Sequence, residues 1–376
     1  MPSRQTAVDL YSGVGGMSLG FEQAGFDVAA AVDIEKIHLD THSKNFPTCR
    51  TWRADLSLAT GSELRKQTGL EGKHIAVAFA GPPCQGFSLI GKRRPEDPRN
   101  LLLLDLARLI AELSPSYFVV ENVAGLLLGE AKDVLSEFVR RSKCCGYSVV
   151  EPISVLDAAE FGIPQRRRRV FVLGYRNGLT APVYPTPTHR RDGLHNEGPN
   201  VWDAIGDLPN ITRYQYLLET GEYKGELGIP SDYASILRGE KQDPHDKSRH
   251  QSRNGNALSG CLRTAHTDET INRFKKTRQG TSEEVSRFYR LAKNGLAPTL
   301  RAGTGPAEGS FMAPRPIHPF QDRCITVREA ARLHSFPDWF HFHSTKWHAF
   351  RQIGNSVPPL LARAVAETVR QALDDR

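Results

Sequence analysis

A glycine-rich loop near the start of the chain constrains the fold more than any other feature. The mostly apolar residues 6–11 predict a buried strand, followed by the loop 12–16 (Ser-Gly-Val-Gly-Gly) and a helical pattern at 17–24. A second apolar run, residues 27–33, ends in an aspartate 20 positions after the first glycine of the loop. This order is that of a βαβ unit, so we predict an α/β fold built on a parallel sheet.

The same loop predicts a ligand pocket. Gly13 and Gly15 would let the backbone approach a ligand, and Asp33 lies where a carboxylate binds a ribose hydroxyl. Asp55, after the next predicted strand, would close that pocket. These features suit NAD and S-adenosylmethionine equally, and both possibilities remain open at this point.

A third predicted strand, residues 74–80, leads into Gly-Pro-Pro-Cys-Gln-Gly-Phe-Ser. The two prolines end the strand because they cannot donate to a sheet. Cys84 thereby falls at the carboxyl end of a parallel strand, where open α/β sheets bind ligands. Taken alone, this cysteine is either a small buried core residue or a nucleophile.

Charged residues occur at two more strand ends. Glu121 follows an apolar run at 117–120, which predicts a half-buried carboxylate with a raised pKa; a helix cap or a salt bridge is the alternative. Four arginines at 166–169 lead directly into the apolar run Val-Phe-Val-Leu. Alternate strand residues share a face, so Arg167 and Arg169 point together, and we expect one such arginine pair to face the site.

Composition excludes several classes of protein. The chain of 376 residues is 39% hydrophobic and 24% charged, which is typical of globular proteins, and no apolar run is long enough to span a membrane. Its six cysteines form no metal-like pairs, and its first residues lack a signal-peptide core, so we expect a cytoplasmic protein without metal. Residues 241–328 hold 16 Lys and Arg against 8 Asp and Glu, and this basic segment suits either a polyanion or a solvated surface.

In combination, these segments resemble the DNA (cytosine-5)-methyltransferases in their compact bacterial form. The matching blocks, in the family's order, are Asp-Leu-Tyr-Ser-Gly-Val-Gly-Gly at 9–16, the Pro-Pro-Cys loop, Glu-Asn-Val at 121–123, Gln-x-Arg-x-Arg at 165–169, Arg-Glu-Ala-Ala-Arg-Leu at 328–333 and Gly-Asn-Ser-Val at 354–357. Tyr11 replaces the usual phenylalanine and Asp33 the frequent glutamate, and both replacements keep the chemistry. The resemblance implies a Rossmann-like, S-adenosylmethionine-dependent methyltransferase with a mixed sheet and a smaller, loop-rich target-recognition domain.

The resemblance also implies the domain boundaries. Residues 1–180 would form the catalytic and cofactor-binding domain, and residues 181–322 the target-recognition domain. Residues 323–376 would return to complete the catalytic domain, with their last helix, 360–373, packed on it.

The resemblance further implies a mechanism. Cys84 would add to C6 of a cytosine flipped out of the duplex, and Glu121 would hold or protonate N3. Arg167 would bind O2, and Arg169 would complete the catalytic set. The segment 85–100 would close over the flipped base.

Binding residues follow from the same resemblance. The cofactor S-adenosylmethionine, with S-adenosylhomocysteine as its product, would contact Tyr11, Gly13, Gly15, Gly16, Asp33, Ile34, Asp55, Leu56, Pro82, Leu102, Asn355, Ser356 and Val357. Double-stranded DNA would contact Gln85, Ser88, Arg99, Arg263, Arg273, Arg278, Thr299, Leu300 and Arg301, with His266 as a further candidate base reader. We expect a monomer, and a cognate restriction endonuclease is an expectation by analogy.

Three other functions remain to be weighed. A tRNA cytosine-5 methyltransferase of the same fold is the nearest, although the long basic segment and the Cys-Gln-Gly-Phe-Ser loop favour DNA. A nicotinamide-dependent oxidoreductase would use the glycine loop but leave Cys84 and Glu121 without a role. The intact Cys84 and Glu121 also argue against a catalytically silent DNA-binding protein.

Overall fold

The computed structural model describes residues 4–83, 102–190, 197–248, 257–303 and 315–375. Within them, a single eight-stranded sheet forms the centre of the fold. Its strands are β1 (Gln5–Leu10), β2 (Phe26–Asp33), β3 (Arg50–Arg53), β4 (Val77–Ala80), β5 (Tyr117–Val123), β6 (Tyr147–Val149), β7 (Ser154–Asp157) and β8 (Arg168–Arg176).

The strands lie in the order β3-β2-β1-β4-β5-β8-β6, and β7 also pairs with β8. The strands from β3 to β5 are all parallel, whereas β8 runs antiparallel to β5, β6 and β7. The mixed α/β sheet predicted above is therefore confirmed. The chain proceeds from β1 to one side and returns at β4 on the other, which makes the β1–β4 boundary the switch point where such sheets bind ligands.

Helices cover both faces of the sheet. They are α1 (Gly16–Gln23), α2 (Lys36–Asn45), α3 (Gly61–Thr68), α4 (Leu102–Leu113), α5 (Glu130–Cys144), α9 (Val327–Leu333), α10 (Lys346–Asn355) and α11 (Pro359–Asp374), with α6 to α8 between α5 and α9. One apolar cluster includes Phe21 and Phe79, and the other includes Val8 and Leu109. Because neighbouring strand residues face opposite clusters, β1 and β4 are buried on both sides, as their continuous apolar sequences predict.

The last helix packs against the first. A Cβ placed on Gly20 of α1 would lie 2.5 Å from the Cβ of Ala362 in α11, so the two helices touch at their backbones. Thr326 caps α9, and the Glu329 carboxylate accepts the Thr326 N–H, which completes a capping box. The last helix of the chain thus lies against its first helix.

Between β8 and α9, the described elements are short. They are α6 (Val201–Ile205), α7 (Asp232–Arg238), α8 (Asp268–Lys276) and the two-residue strands β9 (Tyr223–Lys224) and β10 (Ala257–Leu258). Two small apolar clusters lie here, one around Leu217 and the other around Phe274. This part of the chain is loop-rich, as its composition predicts.

Candidate active site

The glycine loop lies at the carboxyl end of β1 and leads into α1. Tyr11, Gly13 and Gly15 all have positive φ angles, of 62°, 53° and 96°. A Cβ on Gly15 would lie 2.3 Å from the Phe46 ring, whereas one on Gly13 would meet no described atom within 4 Å. Gly15 is therefore required by packing, and Gly13 leaves space for a ligand.

Asp33, at the end of β2, closes this loop. Its two carboxylate oxygens each accept a backbone N–H at 2.8 Å, one from Gly13 and the other from Glu35. His38 Nδ1 lies 3.5 Å from the same carboxylate. Burial raises the pKa of Asp33, but the contacts with His38, Glu35 and Gly13 outweigh burial and hold it below its ordinary value. Asp33 is thus an ionised, oriented acceptor in a pocket.

The other predicted cofactor residues differ in their exposure. Ile34 is 55% exposed although it is apolar, Asp55 is exposed at the end of β3, and Leu56 is buried beside it. Pro82 is buried, Leu102 is half-buried at the first turn of α4, and Asn355 is exposed. Ser356 and Val357 abut Gly16, where an added Cβ would meet the Val357 carbonyl oxygen at 2.4 Å.

Two polar atoms in this pocket fit a polar ligand. The hydroxyls of Tyr11 and Ser12 are buried and have no hydrogen-bond partner among the residues that the structure describes. Unsatisfied buried hydroxyls are uncommon in native proteins, so such groups indicate a bound partner. Together with the ionised Asp33 and the exposed apolar Ile34, they fit a ligand that carries both a ribose and an apolar ring.

Glu121 and Arg169 form the second part of the site. Glu121 lies at the end of β5 and is 8% exposed. Arg169 Nε lies 2.9 Å from a Glu121 carboxylate oxygen. Burial raises the pKa of Glu121, while Arg169 and then Arg167 lower it, and burial prevails. The raised pKa agrees with the sequence-based expectation for this carboxyl.

Arg167 does not occupy the position expected for it. Its side chain is 1% exposed, and it donates to the carbonyl oxygens of Leu300 at 3.0 Å and of Gly354 and Ser356 at 2.8 Å each. The alternation along β8 is as predicted, because Arg167 and Arg169 face inward while Arg166 and Arg168 are exposed. The two inward arginines make different contacts, however: Arg167 binds backbone carbonyl oxygens, whereas Arg169 contacts Glu121. Of the two inward arginines, Arg169 is the one that lies beside Glu121.

A segment from the basic region reaches this site. Thr299 Oγ1 donates to the Arg166 carbonyl at 2.7 Å, and Leu300 is buried beside it. A Cβ on Gly354 would lie 2.4 Å from the Ala302 nitrogen, so the chain after Leu300 rests on the end of α10. Sequence positions near 166, 300 and 354 thus meet at one point.

The predicted DNA-reading residues differ in their exposure. Arg278 and Arg301 are exposed. Arg273 contacts Glu269 at 2.7 Å and Glu283 at 3.3 Å, and Arg263 donates to the carbonyls of Thr212 and Tyr214 at 3.3 Å. His266 accepts the Cys324 N–H at 3.2 Å. Only the first two present guanidinium groups without a described partner, whereas the other three take part in the packing of this region.

Four predicted site residues lie outside the described residues: Cys84, Gln85, Ser88 and Arg99. The described chain stops at Pro83, directly after β4, and resumes at Leu102. The flank at Pro82 borders the site, because the Asn122 side-chain amide donates to the Pro82 carbonyl at 3.3 Å and β4 pairs with β5. Among the described residues, no His, Cys, Asp and Glu side chains cluster to hold a metal, and no helix could span a membrane.

Sequence reasoning gave no role to His38 or His334. His38 contacts Asp33, and His334 bridges Gln165 and Ser356 with hydrogen bonds of 2.9 Å. A single histidine on a helix or just beyond one carries no spacing signal. Only the tertiary structure brings these two side chains to the site.

Comparison with known proteins gives consistent matches over nearly the whole chain. The family model described as C-5 cytosine-specific DNA methylase matches residues 5–371. The chain is 50% identical to the Type II methyltransferase M.XorII of Xanthomonas oryzae pv. oryzae over 99% of this chain and 86% of that protein. It is 32% identical to the Type II methyltransferase M.AgeI of Thalassovita gelatinovora over 97% and 99% of the two chains.

A solved structure matches as well. An E. coli protein encoded within a prophage, and assigned as a DNA modification methyltransferase, superimposes with a TM-score of 0.77 and 31% identity. The match covers 98% of this chain and 99% of that one. The likeness therefore extends to both the sheet and the loop-rich region.

Proposed function

Because this chain belongs to the family of C-5 cytosine-specific DNA methylases, we propose that it methylates C5 of a specific cytosine in duplex DNA, with S-adenosylmethionine as methyl donor. The observation that carries this proposal is the contact between Glu121 and Arg169, 2.9 Å apart, at the strand end next to the one that leads into Cys84. A buried acid beside a cation, at the strand end next to the one that precedes a candidate thiol nucleophile in sequence, suits activation of a pyrimidine ring.

The chemistry assigns a separate task to each of these residues. C5 of cytosine is a weak nucleophile, so the Cys84 thiolate forms a bond to C6 while Glu121 supplies a proton or hydrogen bond to N3. The ring then carries electron density at C5, and S-adenosylmethionine supplies the methyl group that C5 accepts. Loss of the C5 proton and breakage of the bond between C6 and sulfur restore the aromatic ring and the thiolate.

Arg169 takes the role first expected of Arg167. Its guanidinium lies beside the acid and 14% of its side chain is exposed, so it can reach the O2 edge of a base bound at Glu121. Arg167 donates to three backbone carbonyls and so holds together the chain segments beside the site. We therefore assign the base contact to Arg169.

The cofactor pocket is proposed at the glycine loop. Asp33 would accept the ribose hydroxyls, Ile34 would lie against the adenine, and the loop around Gly13 would receive the methionine part. Asn355, Ser356 and Val357 would close the pocket from the C-terminal side. The Tyr11 and Ser12 hydroxyls, without described partners, support a polar ligand at this place.

We propose residues 181–322 as the target-recognition domain, and the exposed Arg278 and Arg301 as its first candidates for DNA contacts. Positive side chains of this kind bind phosphates and, in the major groove, guanine. A base inside a duplex cannot reach Glu121, so the target cytosine must leave the helix. The Type II names of the two relatives support a restriction-modification setting.

Two experiments test the function. Transfer of tritium from labelled S-adenosylmethionine to duplex DNA is expected, with none to tRNA; label only in tRNA would favour the alternative substrate. Cys84→Ser should abolish transfer while changing cofactor affinity less than a few-fold, and DNA containing 5-fluorocytosine should trap the wild type in a complex that survives detergent. Transfer by the serine variant would exclude Cys84 as the nucleophile.

A further inference from the structure

A buried histidine connects two parts of the site that are far apart in sequence. His334, just after α9, is fully buried, and both ring nitrogens are used. Nε2 lies 2.9 Å from the Ser356 carbonyl oxygen and Nδ1 lies 2.9 Å from Gln165 Nε2. Since a carbonyl only accepts, Nε2 carries the proton and Nδ1 accepts from the Gln165 amide. The ring is therefore neutral and held in one orientation.

Gln165 extends this connection to the basic region. Its Oε1 accepts the Leu300 N–H at 3.1 Å, while the Leu300 carbonyl accepts from Arg167 at 3.0 Å. Both backbone polar groups of Leu300 are thus bound by the Gln-x-Arg segment. Arg167 also donates to the Ser356 carbonyl at 2.8 Å, so this oxygen accepts from both Arg167 and His334.

The two ends of the connection border different ligands. Ser356 packs on Gly16, where an added Cβ would lie 2.9 Å from the Ser356 Cβ, next to the glycine loop. Leu300 lies in the segment that we assign to DNA, one residue before the exposed Arg301. Buried hydrogen-bond networks in which each group is satisfied hold their members in place, because a buried polar group that loses its partner is costly.

We propose that His334 is a positioning residue that fixes the DNA-contacting segment at Leu300 relative to the cofactor pocket at Ser356, so that cofactor and DNA bind cooperatively. This inference rests on the proposed function, since it takes one end of the bridge as the DNA side and the other as the cofactor side. A ligand that orders Ser356 orders Leu300 through the same bonds, and by linkage the converse holds.

The test compares the Kd of S-adenosylhomocysteine with and without a saturating concentration of duplex DNA that contains the sequence which the enzyme methylates. We expect DNA to tighten binding at least about fivefold in the wild type, the lower end of usual coupling. In His334→Leu this ratio should fall to near one. His334→Gln, whose amide N–H can reach the Ser356 carbonyl, should retain most of it.

A matched control separates positioning from general destabilisation. His318 is also buried, at 2% exposed, and its Nδ1 accepts the backbone N–H groups of Phe320 and Gln321 at 3.1 and 3.0 Å. His318→Leu should lower stability without changing the ratio. If His334→Leu does not fold, His334→Asn replaces it, since its short side chain cannot span to both Gln165 and Ser356, and its ratio should likewise fall.

Three results would overturn the inference. The first is a folded His334→Leu or His334→Asn variant in which DNA tightens S-adenosylhomocysteine binding as much as in the wild type. The second is an equal loss of this effect in His318→Leu, and the third is a wild type in which DNA does not change the Kd at all. The last result is distinguishable from failure of the proposed function. A wild type that methylates duplex DNA without coupling contradicts only the role of His334, whereas one that methylates no DNA contradicts the function itself.

Discussion

Arg169 Nε lies 2.9 Å from the Glu121 carboxylate, across the antiparallel pair of β5 and β8. The two residues come from strands about fifty positions apart in sequence, yet they form the charged centre of the site. Burial raises the pKa of Glu121 and Arg169 lowers it, so a substitution of Arg169 changes this pKa without touching the acid itself.

Replacing Arg169 should shift the pH dependence of catalysis. Burial raises the pKa of Glu121 and Arg169 lowers it, so Arg169→Gln should raise this pKa further. If the protonated acid is active, the alkaline limb of the kcat/KM profile moves to higher pH while kcat falls. Arg168→Gln, at the exposed neighbouring position, is the control and should leave the limb in place.

Asp33→Asn should weaken cofactor binding about 10- to 100-fold. The carboxylate accepts the Gly13 and Glu35 N–H groups, whereas an amide would turn one NH₂ group toward a backbone donor. Hydrogen bonds to a charged group contribute about 1.5–3 kcal/mol, which corresponds to this range. Calorimetric titration with S-adenosylhomocysteine measures the loss. Asp27→Asn, near the other end of β2, should bind normally, and unchanged affinity in the Asp33 variant would remove Asp33 from the pocket.

Gly354→Ala should separate the DNA-contacting segment from α10. The new Cβ would lie 2.4 Å from both the Ala302 nitrogen and the Arg301 carbonyl carbon, which are backbone atoms that cannot rotate away. We expect a loss of about 1–3 kcal/mol in the free energy of unfolding and a larger proportional loss in DNA affinity. Gly221→Ala, whose Cβ would meet its nearest atom at 3.8 Å, is the control. Wild-type DNA binding by the Gly354 variant would disprove the contact.

Glu329 should stabilise the fold in a pH-dependent manner. Burial raises its pKa, but Arg323 at 2.7 and 2.8 Å, with His318 and the Thr326 N–H, brings it down to about 2. A lowered carboxyl pKa stabilises the folded state above the unfolded pKa, and this stabilisation is lost as pH falls toward about 2. Glu329→Gln should therefore cost about 3–5 kcal/mol at pH 7, and the difference should shrink below about pH 4.

Denaturant unfolding at pH 7, 4 and 3 measures this difference. The matched control is Glu63→Gln, because Glu63 occupies the same position in the capping box of α3 but lies at the surface. Its effect should be much smaller at every pH. A constant difference between wild type and the Glu329 variant from pH 7 to pH 3 would contradict the assigned pKa.

Much of the fold and of the cofactor pocket could be predicted from the sequence. The strand, loop and helix at the start and the acid at the end of β2 depend on local periodicity and on the conformational limits of Gly and Pro, which act within a few residues. The strand ends of a parallel sheet meet at one edge, so Asp33, Cys84 and Glu121 could be assigned to one site from order alone.

Only the tertiary structure determines which inward arginine binds backbone carbonyls and which contacts Glu121. The same is true of the histidine that connects Leu300 to Ser356. Arg167 and Arg169 are alike in sequence pattern; only the arrival of the chain at 300 and 354 surrounds one with carbonyls and leaves the other beside Glu121. Local sequence determines which elements form and which residues can carry chemistry. Partners more than a hundred positions apart are set by how those elements pack, since a hydrogen bond depends on distance in space and not along the chain.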